Sequence, residues 1–181
     1  MTFAEAAVLP LAINTAAAGL FQKDFLALPL PQPPSTSSAS APSPPSATGA
    51  GATLLVWGGS SSVGACAIQL ARASGLDVVA TASVHNHALC RSLGARAVID
   101  HAAADAVPQL VRALQGRRVA GAFDAISEAA TLRATAAVLR QAGGSGGNGM
   151  FIAATLPGTE KHSGDGVTVK PGKPVPFCLL P

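Results

Sequence analysis

Residues Thr53 to Ala154 predict a doubly wound α/β domain on a parallel sheet. Three observations carry that expectation. Short apolar runs suited to strands alternate with stretches of helical periodicity, the connections are brief, and a glycine-serine turn joins the first run to the first helix. Such alternation implies helices on both faces of a parallel sheet, because each crossover must return over the sheet right-handedly. A chain of 181 residues has room for one such core and some extra sequence.

Residues 1–28 read as a preceding helical segment, with Glu5 early and alanines dominating through Leu20. The apolar run from Ala6 to Phe21 invites a signal-peptide reading. Against it, Glu5 precedes the run, no Lys or Arg leads it, and Pro10 and Asn14 interrupt it. The run is also shorter than the roughly 20 residues that span a bilayer, so a buried helix and no membrane partner are expected. Residues 29–52 are rich in Pro, Ser and Ala, including Pro33-Pro34 and Pro44-Pro45. Such a stretch cannot bury enough apolar surface to fold and reads as a flexible surface insertion.

The domain proper spans 53–155. Thr53–Trp57 is a short apolar run suited to a buried strand. After Gly58-Gly59, Val63, Ala67, Leu70 and Ala71 recur at helical spacing until Gly75 stops the helix. A strand is predicted at Asp77–Thr81, a helix at Asn86–Leu93 ended by Gly94, and a strand at Ala97–Ile99. A helix over Ala104–Gln115, a strand over Val119–Ile126, a helix over Glu128–Arg140 and a strand over Gly149–Ala154 complete the series. The tail 156–181, full of Gly and Pro, is expected to be irregular.

Composition narrows the function. Hydrophobic residues make up 49% and charged residues 12%, which argues against disorder over most of the chain. The net charge of +3 comes without a basic cluster and aromatics are few, so no nucleic-acid face is expected. Cys66, Cys90 and Cys178 are far apart and odd in number, which fits a reducing, cytoplasmic setting; no pair has metal-ligand spacing, so no metal is expected.

The chemistry is expected at the end of the first strand, in Trp57-Gly58-Gly59-Ser60-Ser61-Ser62-Val63-Gly64. A tight strand-to-helix turn lets backbone N–H groups and the helix N-terminus meet a pyrophosphate. Gly59 is expected to make the turn without a Cβ, and Gly64 to let helix and strand pack closely. Ser61 replaces the middle glycine of Gly-x-Gly-x-x-Gly, so a plain structural turn stays open as the alternative. An NAD site normally ends its second strand with Asp or Glu, which binds the ribose 2′-hydroxyl. Here Val78-Val79-Ala80-Thr81-Ala82-Ser83 carries no acid, and Ser83, His85, Asn86 and His87 offer hydroxyl, imidazole and amide groups. A carboxylate would repel a 2′-phosphate, so its absence favours NADP(H); His87 reads better as a solvated first-turn residue. The same absence weakens a methyltransferase reading. The chain has no Tyr, which excludes the Tyr-x-x-x-Lys chemistry of a short-chain dehydrogenase. Asp100 and Asp124, at strand ends, read as capping or loop residues before catalytic ones.

Several of these stretches, in the same order, resemble the fungal trans-acting enoyl reductases, in the zinc-free branch of the medium-chain dehydrogenase/reductase superfamily. They are Leu55–Gly64, Ala67-Ile68-Gln69-Leu70-Ala71, Thr81–Asn86, Ser92-Leu93-Gly94-Ala95, Ile99-Asp100-His101 and Phe123-Asp124-Ala125-Ile126-Ser127. Upstream, Phe3–Leu11 and Thr15-Ala16 resemble the helix that precedes that family's nucleotide domain. The resemblance implies a Rossmann-like fold and NADPH-dependent reduction of an enoyl thioester or enone in secondary metabolism, with a polyketide synthase served in trans. It also implies a cofactor site at Gly59, Ser60, Ser61, Ser62, Val63 and Gly64, with Ser83, Val84, His85 and Asn86 around the 2′-phosphate. His101 falls where the family often has Tyr beside the cofactor. Asn14, Thr15, Gly19 and Phe21 would border the nicotinamide and substrate, Thr15 nearest the hydride transfer. There are departures. His85 stands where Lys or Arg is common, His101 loses a larger stacking group, and the family's GroES-like substrate domain is missing. The alternative is therefore a truncated, catalytically silent NADP-binding fragment.

Overall fold

The computed structural model describes residues 2, 7, 9–31, 51–143, 150–164 and 166–172. Most of the expected insertion (32–50), much of the first nine residues, the glycine-rich 144–149 and the end of the tail with Cys178 lie outside the described residues.

Six strands form one parallel sheet. They are β1 (Ala52–Trp57), β2 (Asp77–Ala82), β3 (Ala97–Asp100), β4 (Arg118–Asp124), β5 (Phe151–Ala154) and β6 (Thr168–Lys170). Their order across the sheet is β3-β2-β1-β4-β5-β6, and every pairing is parallel. The direction of winding reverses between β1 and β4, which opens a crevice at the carboxyl ends of those strands. Helices α1 (Leu9–Phe21), α2 (Ser62–Ala73), α3 (His87–Ser92), α4 (Ala106–Leu114) and α5 (Ala129–Gln141) cover the sheet. This is the doubly wound arrangement that the alternation predicts.

Strand pleating sorts the core into two layers. Leu54 and Val56 of β1, with Val78 and Ala80 of β2, pack with Ala16, Leu20, Ala67, Ile68 and Cys90 of α1–α3. Leu55, Trp57 and Val79 point the other way and pack with Leu110 and Leu114 of α4 and Leu132 and Leu139 of α5. All six β1 residues are buried, as a central strand covered on both faces requires. In α1 the buried positions Ala12, Ala16, Gly19 and Leu20 recur at helical spacing, while Leu11 and Ile13 face outward.

Element ends differ from the sequence expectation for local reasons. The first helix stops at Phe21, and the chain doubles back through N–H bonds from Leu26 to the Gly19 carbonyl and from Leu28 to that of Leu20. The helix expected from Ala104 begins at Ala106, which puts Pro108 in the first turn, where its missing N–H costs nothing. β4 ends at Asp124 and not at Ile126, because the Asp124 carboxyl accepts from the N–H groups of Ile126 and Ser127 and bends the chain. A short 3-10 turn, Val84–Asn86, precedes α3. In the stretch expected to be irregular, Thr168–Lys170 adds an edge strand, with Val169 turned into the core.

At the opposite edge of the sheet from the crevice, Asp77 opens β2 and takes three arginines. Arg72 of α2 lies 3.0 Å away, and Arg96 and Arg117, from the turns before β3 and β4, each lie 3.3 Å away.

Candidate functional site

The glycine turn is braced from three sides. The Gly58 N–H donates to the Thr81 hydroxyl at 3.0 Å, and the Gly59 N–H donates to the Thr81 carbonyl at 2.8 Å. On the other flank the Ala125 N–H donates to the Trp57 carbonyl at 3.0 Å. The Ser61 hydroxyl donates to the Gly58 carbonyl at 2.8 Å and accepts the Gly64 N–H at 3.0 Å, making Ser61 the N-cap of α2. The left-handed backbone falls on Gly58, with φ +79°, and not on Gly59 as expected. Gly59 is buried, and a Cβ there would press on Ala80, Ile68 and the Cys90 sulfur beneath the turn. A Cβ on Gly64 would overlap the Gly58 carbonyl oxygen, so only glycine lets α2 begin this close to β1. Ser61 satisfies one of the first-turn N–H groups; the others are what an anion at a helix N-terminus takes.

Beside this turn, on the α4–α5 face, lies a cleft of about 670 Å³. Trp57, Gly58, Ser60 and Ser61 form one wall, Ala82 and His101 another, and Ile126, Glu128 and Thr131 a third. Ala103, Ala104, Ala106, Val107, Ala130 and Ala134 complete the lining. Their small side chains keep α4 and α5 from filling the space, and leave it apolar with a few polar groups, the usual character of a ligand site.

The expected site residues fall into three groups. Ser60, Ser61 and His101 line the cleft together with Gly58, and the Ser83 hydroxyl lies 3.3 Å from His101 Nε2. Ser62 is exposed at the start of α2, whereas the Val63 side chain packs against the core. Val84, His85 and Asn86 form the 3-10 turn just past β2, outside the cleft lining, with Val84 and His85 exposed. The α1 residues are not brought to the cleft. Asn14 is exposed, and the Thr15 hydroxyl donates to the Leu11 carbonyl of its own helix at 2.7 Å. Gly19 is buried where a Cβ would strike the Phe123 ring, and Phe21 packs against the core. His87 corrects an expectation: it is half-buried, with Nε2 3.1 Å from the Ala82 carbonyl, and is no solvated bystander.

Both strand-end carboxylates hold turns. Asp100 accepts from the Ala102 N–H at 3.0 Å. Asp124 is fully buried; one oxygen accepts the Ile126 and Ser127 N–H groups at 3.0 and 2.8 Å, and the other has no protein partner among the described residues. Burial pushes this carboxyl above its ordinary range, against the pull of the Ser127 N–H, the nearby Thr131 hydroxyl and the Ile126 N–H. Burial also raises the Cys90 thiol, so it behaves as a small apolar side chain under the turn. Among the described residues no group of three His, Cys, Asp or Glu side chains converges. No described helix is long and apolar enough to cross a membrane.

Sequence reasoning missed Thr81, whose hydroxyl braces the turn, and the cleft wall formed by Ile126, Glu128 and Thr131. The available signal for Thr81 was its place one strand over from the glycine turn, as a hydroxyl residue in a β2 that is apolar apart from Asp77 at its start.

A doubly wound sheet with a glycine turn, a capped helix and a cleft at the winding reversal defines a domain of the nucleotide-binding dehydrogenase class. The chain belongs to the zinc-binding dehydrogenase family, whose model matches residues 62–163. It is 42% identical over 123 residues to dehydrogenase azaJ of Aspergillus niger, covering 68% of this chain and 32% of that protein. It is 48% identical over 115 residues to trans-enoyl reductase himH of Aspergillus japonicus, covering 64% of this chain and 30% of the relative. The chain thus spans about a third of the length of these curated relatives. Among solved structures, the CurK enoyl reductase superposes with a TM-score of 0.64 at 19% identity, over 94% of this chain and 44% of that one. That likeness speaks to the fold.

Proposed function

We propose that the chain is the NADP(H)-binding part of an oxidoreductase that reduces the double bond of an enoyl thioester or related enone. The observation that carries the cofactor is the braced glycine turn opening onto a cleft beside a β2 that ends without an acid. A dinucleotide fits the residues present, because Gly64 lets the N-terminus of α2 start directly against Gly58 at the end of β1, where a pyrophosphate meets first-turn N–H groups. The turn Gly59, Ser60, Ser61, Ser62, Val63 and Gly64 frames the phosphates. The Gly59, Ser61 and Gly64 N–H groups are committed to Thr81, Gly58 and Ser61, and the Ser60, Ser62 and Val63 N–H groups and the Ser60 hydroxyl face the ligand. Ser83, Val84, His85 and Asn86 surround the 2′-phosphate, and His101 borders the adjoining ribose. NADPH would supply a hydride for the substrate β-carbon, becoming NADP+, and a proton from water would complete the reduction at the α-carbon. On this reading Asn14, Thr15, Gly19 and Phe21 lie on the substrate side, and Thr15 must release the Leu11 carbonyl to orient a ligand. The name of one relative, trans-enoyl reductase himH, supports an enoyl substrate acted on in trans; on this reading the substrate is carried by a polyketide synthase and the setting is cytoplasmic.

Trp57 lines the cleft and is the chain's one tryptophan, so titration with NADPH and NADH can be followed by its quenching and by energy transfer to the nicotinamide. Saturable binding that favours NADPH is expected; equal binding of the two, or none by folded protein, overturns the cofactor assignment. A second reading, a silent NADP-binding fragment, has one observation in its favour: no α1 residue reaches the cleft. NADPH binding without reduction of any enoyl or quinone acceptor would select it.

A further inference from the structure

Ser127 sits at φ +61°, in the left-handed region, and is buried. A residue with a Cβ pays about 1–2 kcal/mol to adopt that conformation and keeps it only where its surroundings over-determine it. The surroundings are specific. The Ser127 N–H donates to the Asp124 carboxyl at 2.8 Å, and its hydroxyl donates to the Asp124 carbonyl at 2.8 Å. The same hydroxyl accepts the Thr155 N–H at 2.7 Å and lies 3.0 Å from the Thr155 hydroxyl, which itself lies 3.3 Å from the Ala125 carbonyl. One side chain thus joins the loop after β4 to the loop after β5. Gly172 seals the joint, since a Cβ there would overlap the Thr155 carbonyl.

The location gives this clasp a direction. Ile126 and Glu128, on either side of Ser127, line the cleft, whereas Thr155 lies beyond its lining. The glycine turn and the β2–β3 ends bound the cleft on the other side. A ligand anchored there and extending across the strand ends must next pass over the β4 and β5 loops. At that point Asp124 is fully buried, with one oxygen committed to the Ile126 and Ser127 N–H groups at the foot of the clasp.

We propose that Ser127 is a positioning residue for the half of the dinucleotide that lies away from the 2′-phosphate, holding the β4 and β5 loops as one rigid floor through Asp124 and Thr155. This rests on the reading of the cleft as an NADP(H) site. The adenosine half is held by the glycine turn and the β2 end, to neither of which the Ser127 or Thr155 side chain bonds. Loss of the clasp therefore discriminates between a whole dinucleotide and its adenosine half.

The test is equilibrium titration of the full chain with NADPH and with adenosine 2′,5′-bisphosphate. Ser127→Ala should weaken NADPH binding by about tenfold, the factor that the net worth of one hydrogen bond gives, and leave the bisphosphate unchanged. Ser127→Gly should show the same selective loss while melting higher than Ser127→Ala, because glycine removes the hydroxyl and relieves the backbone. Thr155→Val, which keeps the N–H bond, should show a smaller selective loss and reports on the clasp should Ser127 variants fail to fold. Parallel losses for both ligands, or no loss for either, overturn the proposal while the cofactor reading stands. Wild-type protein that binds neither ligand overturns both.

Discussion

The two banks of the sheet, the cleft on its α4–α5 face and α1 on the other, are built to different degrees. On one, the glycine turn is tied to β2 by Thr81, capped by Ser61, and faces a cleft kept open by alanines from two helices. On the other, α1 buries Ala16, Gly19 and Leu20 against the sheet, leaves Asn14 outside, and turns the Thr15 hydroxyl onto its own backbone. The first bank is an arrangement for holding a ligand. The second is an arrangement for packing a helix. Affinity for the cofactor and ability to act on a substrate therefore need not travel together in this chain.

The sharpest way to break the first bank is Gly64→Ala. The new Cβ must displace the Gly58 carbonyl, at a cost of about 3 kcal/mol, and NADPH binding should be lost; both are read by denaturant midpoint and titration. An alanine variant of normal stability would show that the close approach of α2 to β1 is not needed. Thr81→Val comes next. It strands the buried Gly58 N–H, so a loss of about 1–3 kcal/mol is expected together with weaker NADPH binding. Unchanged affinity would mean that the turn holds its shape without β2.

Asp124 lies between the banks and gives a pH test. Its carboxyl is raised by burial, so the folded state binds the proton more readily than the unfolded chain. Stability that is present in acid is lost as pH rises through the raised value. Asp124→Asn removes that loss while its side-chain oxygen can still accept from Ile126 and Ser127. The difference in denaturation midpoint should therefore shift in the variant's favour from about pH 4, the ordinary Asp range, toward neutrality. A difference that stays flat with pH would count against it. The smallest effect is expected at Thr15→Ala, which should change stability by less than about 0.5 kcal/mol and barely alter NADPH affinity. A marked loss of affinity would bring α1 into the binding site and erase the contrast between the banks.

What was legible in the sequence was local. The run Leu54–Trp57, the paired glycines and the spacing of Val63, Ala67 and Ala71 encode strand, turn and helix within twenty residues, and all three stand where periodicity puts them. What was not legible arises from contacts between distant segments. Nothing near Gly58 marks Thr81 as its partner, and Ser127 and Thr155 are 28 residues apart. β6 has three residues and one inward side chain, too few to produce an alternation. α5 meets the cleft with Ala130, Thr131 and Ala134, and alanine signals helix and says nothing of a cavity. Even within the turn, composition could not tell which of two adjacent glycines takes the left-handed conformation.

The single acid of β2 stands at the start of the strand, where it serves three arginines, and not at the end, where a ribose would meet it. Pairs this exposed are each worth about 0–1 kcal/mol. Their sharing makes the tolerance to change unequal. Any one arginine can be replaced and the carboxylate keeps two partners. Replace the acid, and three guanidinium groups from three segments are left converging with no counter-charge between them. In a library of random variants, Asp77 should be the intolerant member of the four, although it lies at the far edge of the sheet from every residue that a ligand would touch.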